Sequence, residues 1–151
     1  MLRHPISLES FLLVTIKYME KLDYYFKAYA PVATRIALSL VFLWFGFDQA
    51  LHTSDYIGYI PDSIVSLSGL SAGVLVHLNS VFELVFGSAL LLGFFTRTAA
   101  LLLALHLFDI TFIVGFDQIG VRDFGLSMAT LSVFLYGKDM LSLDRYITSE
   151  N

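Results

Sequence analysis

Two apolar runs of about 20 residues lie between Gly73 and Phe116, and only Thr96 and Arg97 interrupt them. Because an α-helix rises about 1.5 Å per residue, each run is long enough as a helix to cross a hydrocarbon core of about 30 Å. The pattern therefore predicts a membrane helical hairpin, with helices over residues 73–95 and 98–116.

Two further apolar segments, at residues 31–51 and 124–136, flank the hairpin. Pro31 suits the first turn of a helix, since its missing N–H would be unbonded there. The last segment has an apolar core of only about 20 Å as a helix, so we expect Arg122 and Asp123 to be drawn into the membrane edge and paired. The four segments together predict an all-α fold, an integral membrane four-helix bundle.

Residues 1–30 carry an amphipathic pattern, in which apolar side chains recur at three- and four-residue steps and charged ones fall largely between them. The apolar positions are Leu8, Phe11, Leu12, Ile16, Met19, Leu22 and Phe26. The pattern predicts an amphipathic helix in the membrane interface, and a helix packed on the end of the bundle is the alternative. The predicted organisation is this N-terminal segment, a four-helix domain over 31–145 and a polar tail over 146–151.

The distribution of lysine and arginine predicts the orientation. Most of them lie in the N-terminal segment, in the turn at Arg97 and in the tail, whereas the opposite side carries only Arg122. Because positive residues favour the cytoplasmic side, we expect the protein in the cytoplasmic membrane with both termini in the cytoplasm.

Composition agrees with a membrane location. The 151 residues are 57% hydrophobic and 15% charged, whereas a soluble domain carries roughly 25% charged residues. The lipid bilayer is therefore the expected environment, and the net charge of −4 argues against nucleic acid as a partner. The chain has no cysteine, which excludes disulfides and thiolate ligands from its chemistry.

Three ionisable residues lie near the middle of the predicted hairpin helices: Glu83, His106 and Asp109. Such side chains cost roughly 2.5–3.5 kcal/mol each at that depth, so they are expected to face protein or water and to interact there. A carboxyl–imidazole pair suits proton uptake and release. We therefore take these three as the candidate catalytic residues, and an interhelical hydrogen-bond cluster that only fixes packing is the alternative.

Other polar residues concentrate in the same, outer half of the predicted bundle, which indicates a water-accessible cavity open to the outside. The full set of expected pocket-lining or structural polar residues is Arg35, Asp48, His52, His77, Asn79, Arg97, Arg122 and Asp123. The histidines match no metal motif, so a metal or haem is disfavoured. A quinone, whose carbonyls accept hydrogen bonds, is the cofactor that such a cavity suggests.

Several stretches resemble the DoxX-like family of four-helix membrane proteins, over about residues 31–145. They are ELVFGSALLLGFFTR from Glu83 to Arg97, Arg35 with the following WFGF, VRDFGL from Val121 to Leu126, and SLD from Ser142 to Asp144. The positions that match the family pattern are Arg35, Glu83, Arg97, Arg122 and Asp123. The chain departs from that pattern at Asp48 and Gln49, where the family often has a lysine.

The resemblance implies a membrane subunit of a quinone-linked redox system, related to sulfur oxidation or oxidative stress, with a soluble redox partner. Whether the chain is itself an enzyme stays open. A non-enzymatic scaffold or assembly factor, acting as a homodimer, is the alternative. A small transporter or proton conduit is disfavoured because the chain shows no inverted repeat.

Overall fold

A computed structural model describes residues 8–115 and 117–148, and within these ranges the chain is helical throughout, without a strand. Its elements are α1 (Leu8–Leu51), α2 (Thr53–Tyr56), a 3₁₀ turn (Ile57–Tyr59), α3 (Asp62–Ser68), α4 (Ala72–Leu92), α5 (Thr96–Val114), α6 (Gln118–Tyr136) and α7 (Leu143–Thr148). The prediction of an all-α fold is confirmed.

The predicted helix start at residue 31 is wrong. Helix α1 is 44 residues long and passes through Pro31 without ending. A proline inside a helix removes one backbone donor and usually kinks or ends it. Here the Thr34 hydroxyl donates to the Ala30 carbonyl at 2.9 Å, one turn earlier. Every described side chain from Leu12 to Lys27 is exposed, so the amphipathic stripe of this half is not buried in the bundle.

The predicted hairpin is present as α4 and α5, with ends within about three residues of those expected. Helix α4 ends at Gly93, whose φ is +67°. A Cβ there would lie 2.5 Å from the Ser142 Cα, so both the left-handed backbone and the close approach of the C-terminal segment require glycine.

Helix α6 begins six residues before the predicted start. The Asp117 carboxylate accepts hydrogen bonds from the N–H groups of Ile119 and Gly120 and so caps the helix. The helix has 19 residues, or roughly 28 Å, so it is not as short as its apolar core suggested. The expected pairing is found, with Arg122 Nε donating to Asp123 Oδ1 at 2.8 Å.

Three helices are long and apolar enough to cross a membrane, at Thr15–Leu51, Ala72–Leu92 and Thr96–Ile113. Helix α6 equals α5 in length, and its crossing of the membrane stays a prediction. The four long helices enclose a core of Leu38, Phe42, Leu90, Leu103, Leu107 and Val133. Many apolar side chains on the outer faces remain exposed, as expected for helices in lipid.

Small residues bring α1 and α4 close together beside the candidate site. The Ser80 hydroxyl donates to the Gly46 carbonyl at 2.7 Å. A Cβ on Gly46 would lie 3.2 Å from the Ser80 carbonyl oxygen and 2.9 Å from the Leu84 side chain. This close contact places the end of α1 within hydrogen-bond reach of polar side chains on α4.

Candidate functional site

A cavity of about 660 Å³ lies between the four long helices at the end formed by the C-termini of α1 and α5 and the N-termini of α4 and α6. The segment from α2 to α3 contributes Tyr56, Tyr59 and Ile64 to its wall. Five carboxylic acids line it, namely Asp48, Asp55, Glu83, Asp109 and Asp123. We call this space the carboxylate cavity.

Glu83 is held in a network of two amide side chains at the base of this cavity. Gln49 Nε2 donates to Glu83 Oε2 at 3.0 Å, and Asn79 Nδ2 donates to Gln49 Oε1 at 2.6 Å and to Glu83 Oε1 at 3.3 Å. The Glu83 side chain is 4% exposed, and these bonds offset part of the cost of burying a carboxyl group. These bonds use both N–H groups of the Asn79 amide and one of the two N–H groups of Gln49.

His106 lies beside Glu83 without bonding to it. Its Nε2 is 3.9 Å from Glu83 Oε1, which is too long for a hydrogen bond. This nitrogen is buried and has no hydrogen-bond partner among the described residues. The ring packs on Phe82, with 4.7 Å between the ring centres. The arrangement leaves an unsatisfied polar atom next to a carboxyl group, at the wall of an open space.

Asp109 lies on the same helix as His106 and also lines the carboxylate cavity, where it is exposed. The three candidate catalytic residues therefore border one cavity, and among them Glu83 and His106 come within 4 Å of each other. The proposed catalytic function of the three residues stays a prediction.

At the mouth of the cavity, Asp48 connects the end of α1 to the α2–α3 segment. Its carboxylate accepts hydrogen bonds from His52 Nδ1 at 2.9 Å and from the Tyr56 hydroxyl. Burial, followed by the hydrogen bond to Asp48 and the charge of that carboxylate, raises the pKa of Tyr56 to about 12. Tyr56 therefore remains a protonated donor at neutral pH and holds the α2–α3 segment against the end of α1.

Arg122 is the sole lysine or arginine among the described residues that line the carboxylate cavity. Its guanidinium lies 4.8 Å from the centre of the Phe45 ring, a cation–π contact, and pairs with the buried Asp123. One arginine cannot balance five carboxylic acids, so the cavity favours ligands that donate hydrogen bonds over anions.

Four of the predicted polar residues do not line this cavity. His52 is exposed at its edge, and His77 is exposed with its Nδ1 2.9 Å from the Gly73 carbonyl oxygen. Arg35 and Arg97 lie at the other end of the bundle, where a Cβ on Gly137 would meet Arg97 Nε at 2.5 Å. Arg35 is buried, and its Nε lies 2.6 Å from Asp139 Oδ2.

Sequence reasoning missed several residues with important contacts. Gln49 was noted only as a departure from the family pattern, although its position near the end of α1, opposite Asn79, was a usable signal. The buried Asp139 lies in the polar stretch after the predicted fourth helix, and nothing local pointed to Arg35 as its partner.

Asp144 was part of the SLD resemblance, but its contact was not anticipated. Its two carboxylate oxygens accept hydrogen bonds from the N–H groups of Phe95 and Thr96, at 2.8 and 2.7 Å, and cap the start of α5. Burial raises the pKa of Asp144, but the hydrogen bonds outweigh it and lower the pKa below its usual value. The segment after α6 is therefore attached to the α4–α5 turn.

A metal site is not supported by the described residues, since no three histidine, aspartate or glutamate side chains among them come together as ligands.

Comparison with known families supports the identity suggested by the sequence. The DoxX family model matches residues 30–115, more than half of the 151-residue chain. The match includes Arg35, Glu83 and Arg97 and ends before the Val121–Leu126 stretch that also carried the resemblance. No curated protein and no solved structure matches the chain significantly. With its long apolar helices, the chain is an integral membrane protein that belongs to the DoxX family.

Proposed function

We propose that this DoxX protein is a membrane subunit of a quinone-linked redox system and that the carboxylate cavity binds the quinone ring. The observation that carries the proposal is the cavity itself. Its volume of about 660 Å³ is in the range of small-molecule sites, which are mostly apolar with a few placed polar groups. Phe42, Phe45 and Phe82 supply aromatic surface, and Glu83 with its amides supplies the polar end.

The hydrogen-bond arrangement favours the reduced form of such a ligand. The amides of Gln49 and Asn79 already donate to Glu83, and as carboxylates Glu83 and Asp109 can only accept hydrogen bonds from a ligand. A quinol hydroxyl donates, whereas a quinone carbonyl only accepts. Glu83 and His106, whose Oε1 and Nε2 lie 3.9 Å apart, would hold the polar end of such a ligand.

The proton chemistry follows from this placement. Oxidation of a quinol breaks two O–H bonds and releases two protons and two electrons. Glu83 and His106 take up the protons as general bases and pass them to water, and the two electrons pass to a soluble redox partner protein. Quinone reduction is the same sequence in reverse.

A tryptophan placed in the cavity tests this binding. Trp44 is 70% exposed on the outside of α1, whereas the adjacent Phe45 lines the cavity. In nanodiscs, a Trp44→Phe/Phe45→Trp variant should show saturable fluorescence quenching by a short-chain quinone. The wild-type Trp44 is the matched control, since it should report only gradual quenching by quinone dissolved in lipid. Identical quenching curves for the two proteins would reject the proposed site.

A non-enzymatic scaffold is the second candidate, and the exposed N-terminal half of α1 favours it. Its apolar side chains, including Leu13 and Met19, are uncovered and would suit a partner helix or a second copy of the chain. Cross-linking in membranes tests this alternative. Loss of a cross-linked product on Leu13→Arg, with Glu83→Gln harmless to cells, would favour the scaffold over the redox subunit.

A further inference from the structure

A second cavity, of about 420 Å³, lies at the opposite end of the bundle. It is formed where α1 leaves the bundle at Tyr24 and Ala28, where α6 ends at Tyr136, and where Lys138 and Arg145 follow. We call it the basic pocket. No part of it belongs to the carboxylate cavity, so it does not depend on the function proposed above.

The charge of the basic pocket is positive. Lys138 and Arg145 are both exposed, and neither forms an ion pair with another described residue. The pocket also contains Asp139, but this carboxylate is 1% exposed and is neutralised by Arg35. Asp139 Oδ1 additionally accepts a hydrogen bond from the Leu141 N–H at 2.9 Å. Asp139 therefore presents little negative charge to a ligand.

Asp144 is the other carboxylate whose charge acts on Lys138. Both of its oxygens accept backbone hydrogen bonds at the start of α5, where the positive end of the helix dipole already compensates its charge. Lys138 and Arg145 are thus left as two cations available to an anion.

The level of the pocket in the membrane is indicated by its two tyrosines. Tyr24 and Tyr136 are exposed, and tyrosine concentrates at the boundary between acyl chains and headgroups. Leu135, next to Tyr136, is 68% exposed on the adjoining surface. A ligand with an anionic head and an apolar tail would meet both surfaces at once.

We propose that the basic pocket binds a phosphate group, held by Lys138 and Arg145 with the tyrosine hydroxyls as further donors. Arginine and lysine are the usual phosphate ligands in proteins, and basic pockets between membrane helices bind anionic headgroups. The source is an anionic phospholipid or a soluble phosphorylated molecule. The predicted orientation places this end at the cytoplasmic leaflet, where anionic lipids are enriched.

Native mass spectrometry of the full-length protein tests the proposal. The protein is released from mixed micelles containing equal amounts of phosphatidylglycerol and phosphatidylcholine, and the retained lipid is counted. We expect wild-type protein to retain phosphatidylglycerol, and a Lys138→Gln/Arg145→Gln variant to retain it roughly tenfold less or weaker still. Lys17→Gln/Lys21→Gln is the matched control, because it removes the same charge from an exposed surface outside the pocket.

Each outcome decides the proposal. Equal retention by wild type and the pocket variant, or equal loss in the control variant, overturns it. If the pocket variant fails to fold, Lys138→Arg is measured in its place. This variant keeps the positive charge, so it should retain the lipid if the charge is responsible for binding. Titration with glycerol phosphate separates the two sources. A soluble phosphorylated ligand is supported if glycerol phosphate binds saturably, if this binding is lost in the pocket variant, and if the protein does not select between the two lipids.

Discussion

The two ends of the bundle use ionisable residues in opposite ways. The carboxylate cavity holds five carboxylic acids and one arginine, whereas the basic pocket combines two available cations with an aspartate that is neutralised by Arg35. At the basic end the buried charges are fully bonded, since Arg35 also donates to the carbonyls of Leu90 at 2.8 Å and Leu91 at 2.5 Å.

At the carboxylate end the bonding is incomplete. His106 lines the cavity beside Glu83, and its buried Nε2 has no hydrogen-bond partner among the described residues. A buried polar group without a partner costs free energy, and a ligand or an ordered water relieves that cost. The comparison therefore separates a buried charge pair whose groups are hydrogen-bonded from a buried imidazole nitrogen that is not.

The largest expected effect is at the basic end. Asp139→Ala should lower the free energy of unfolding by about 3–5 kcal/mol, because it leaves the Arg35 guanidinium buried without its partner. Thermal unfolding in detergent measures the loss. The double variant Arg35→Met/Asp139→Leu is the control and should recover much of the stability. Equal instability of the two variants would mean that packing, not charge, is what matters there.

The next effect concerns the carboxylate end. Glu83→Gln replaces one of the two carboxylate oxygens that accept from the amides of Gln49 and Asn79 by an NH2 donor, and it removes the proposed proton acceptor. We expect binding of the quinol form, reported by the Trp44→Phe/Phe45→Trp protein, to weaken about tenfold or more, since a broken buried hydrogen bond costs about 1–3 kcal/mol. His77→Gln lies on the same helix but outside the cavity, and it should bind as the unmodified reporter does. Unchanged binding in Glu83→Gln would remove Glu83 from the site.

A smaller effect is expected at the cap of α5. Asp144→Ala should cost about 0.5–2 kcal/mol, the usual value of a lost helix cap. Because the pKa of Asp144 is lowered in the folded protein, its contribution is present above the ordinary aspartate pKa and is lost as pH falls through the folded pKa. Unfolding followed from pH 6 to pH 3 should show this acid-dependent loss in wild type and a weaker one in the variant.

The smallest effect belongs to the mouth of the carboxylate cavity. Tyr56→Phe removes one hydrogen bond to Asp48 and should cost about 0.5–1.5 kcal/mol. The pKa of Tyr56 is raised to about 12, so its contribution is present below pH 10 and is lost as pH rises toward 12. In wild type, the rate of amide hydrogen exchange of residues 53–68 should therefore rise between pH 10 and pH 12 by more than base catalysis alone accounts for. In Tyr56→Phe the exchange should be faster at neutral pH and lack this additional rise.

Much of the fold could be predicted because lipid imposes a simple rule. An apolar run must be helical and about as long as the hydrocarbon core, which is why the bounds of α4 and α5 were nearly right. The start of α6 was missed because Asp117 caps the helix in a polar stretch, where hydropathy carries no information. Pro31 was taken as a helix start because a proline is more common there than inside a helix.

For the candidate site, too, some features could be predicted from the sequence and others could not. The sequence by itself was enough to place Glu83, His106 and Asp109 away from the ends of two consecutive helices, because helix length follows from the number of apolar residues. Only the tertiary structure decided the partners, such as Gln49 for Glu83 and Asp139 for Arg35. These contacts join residues 34 and 104 positions apart. They depend on helix rotation and close approach, which no local pattern in the chain encodes.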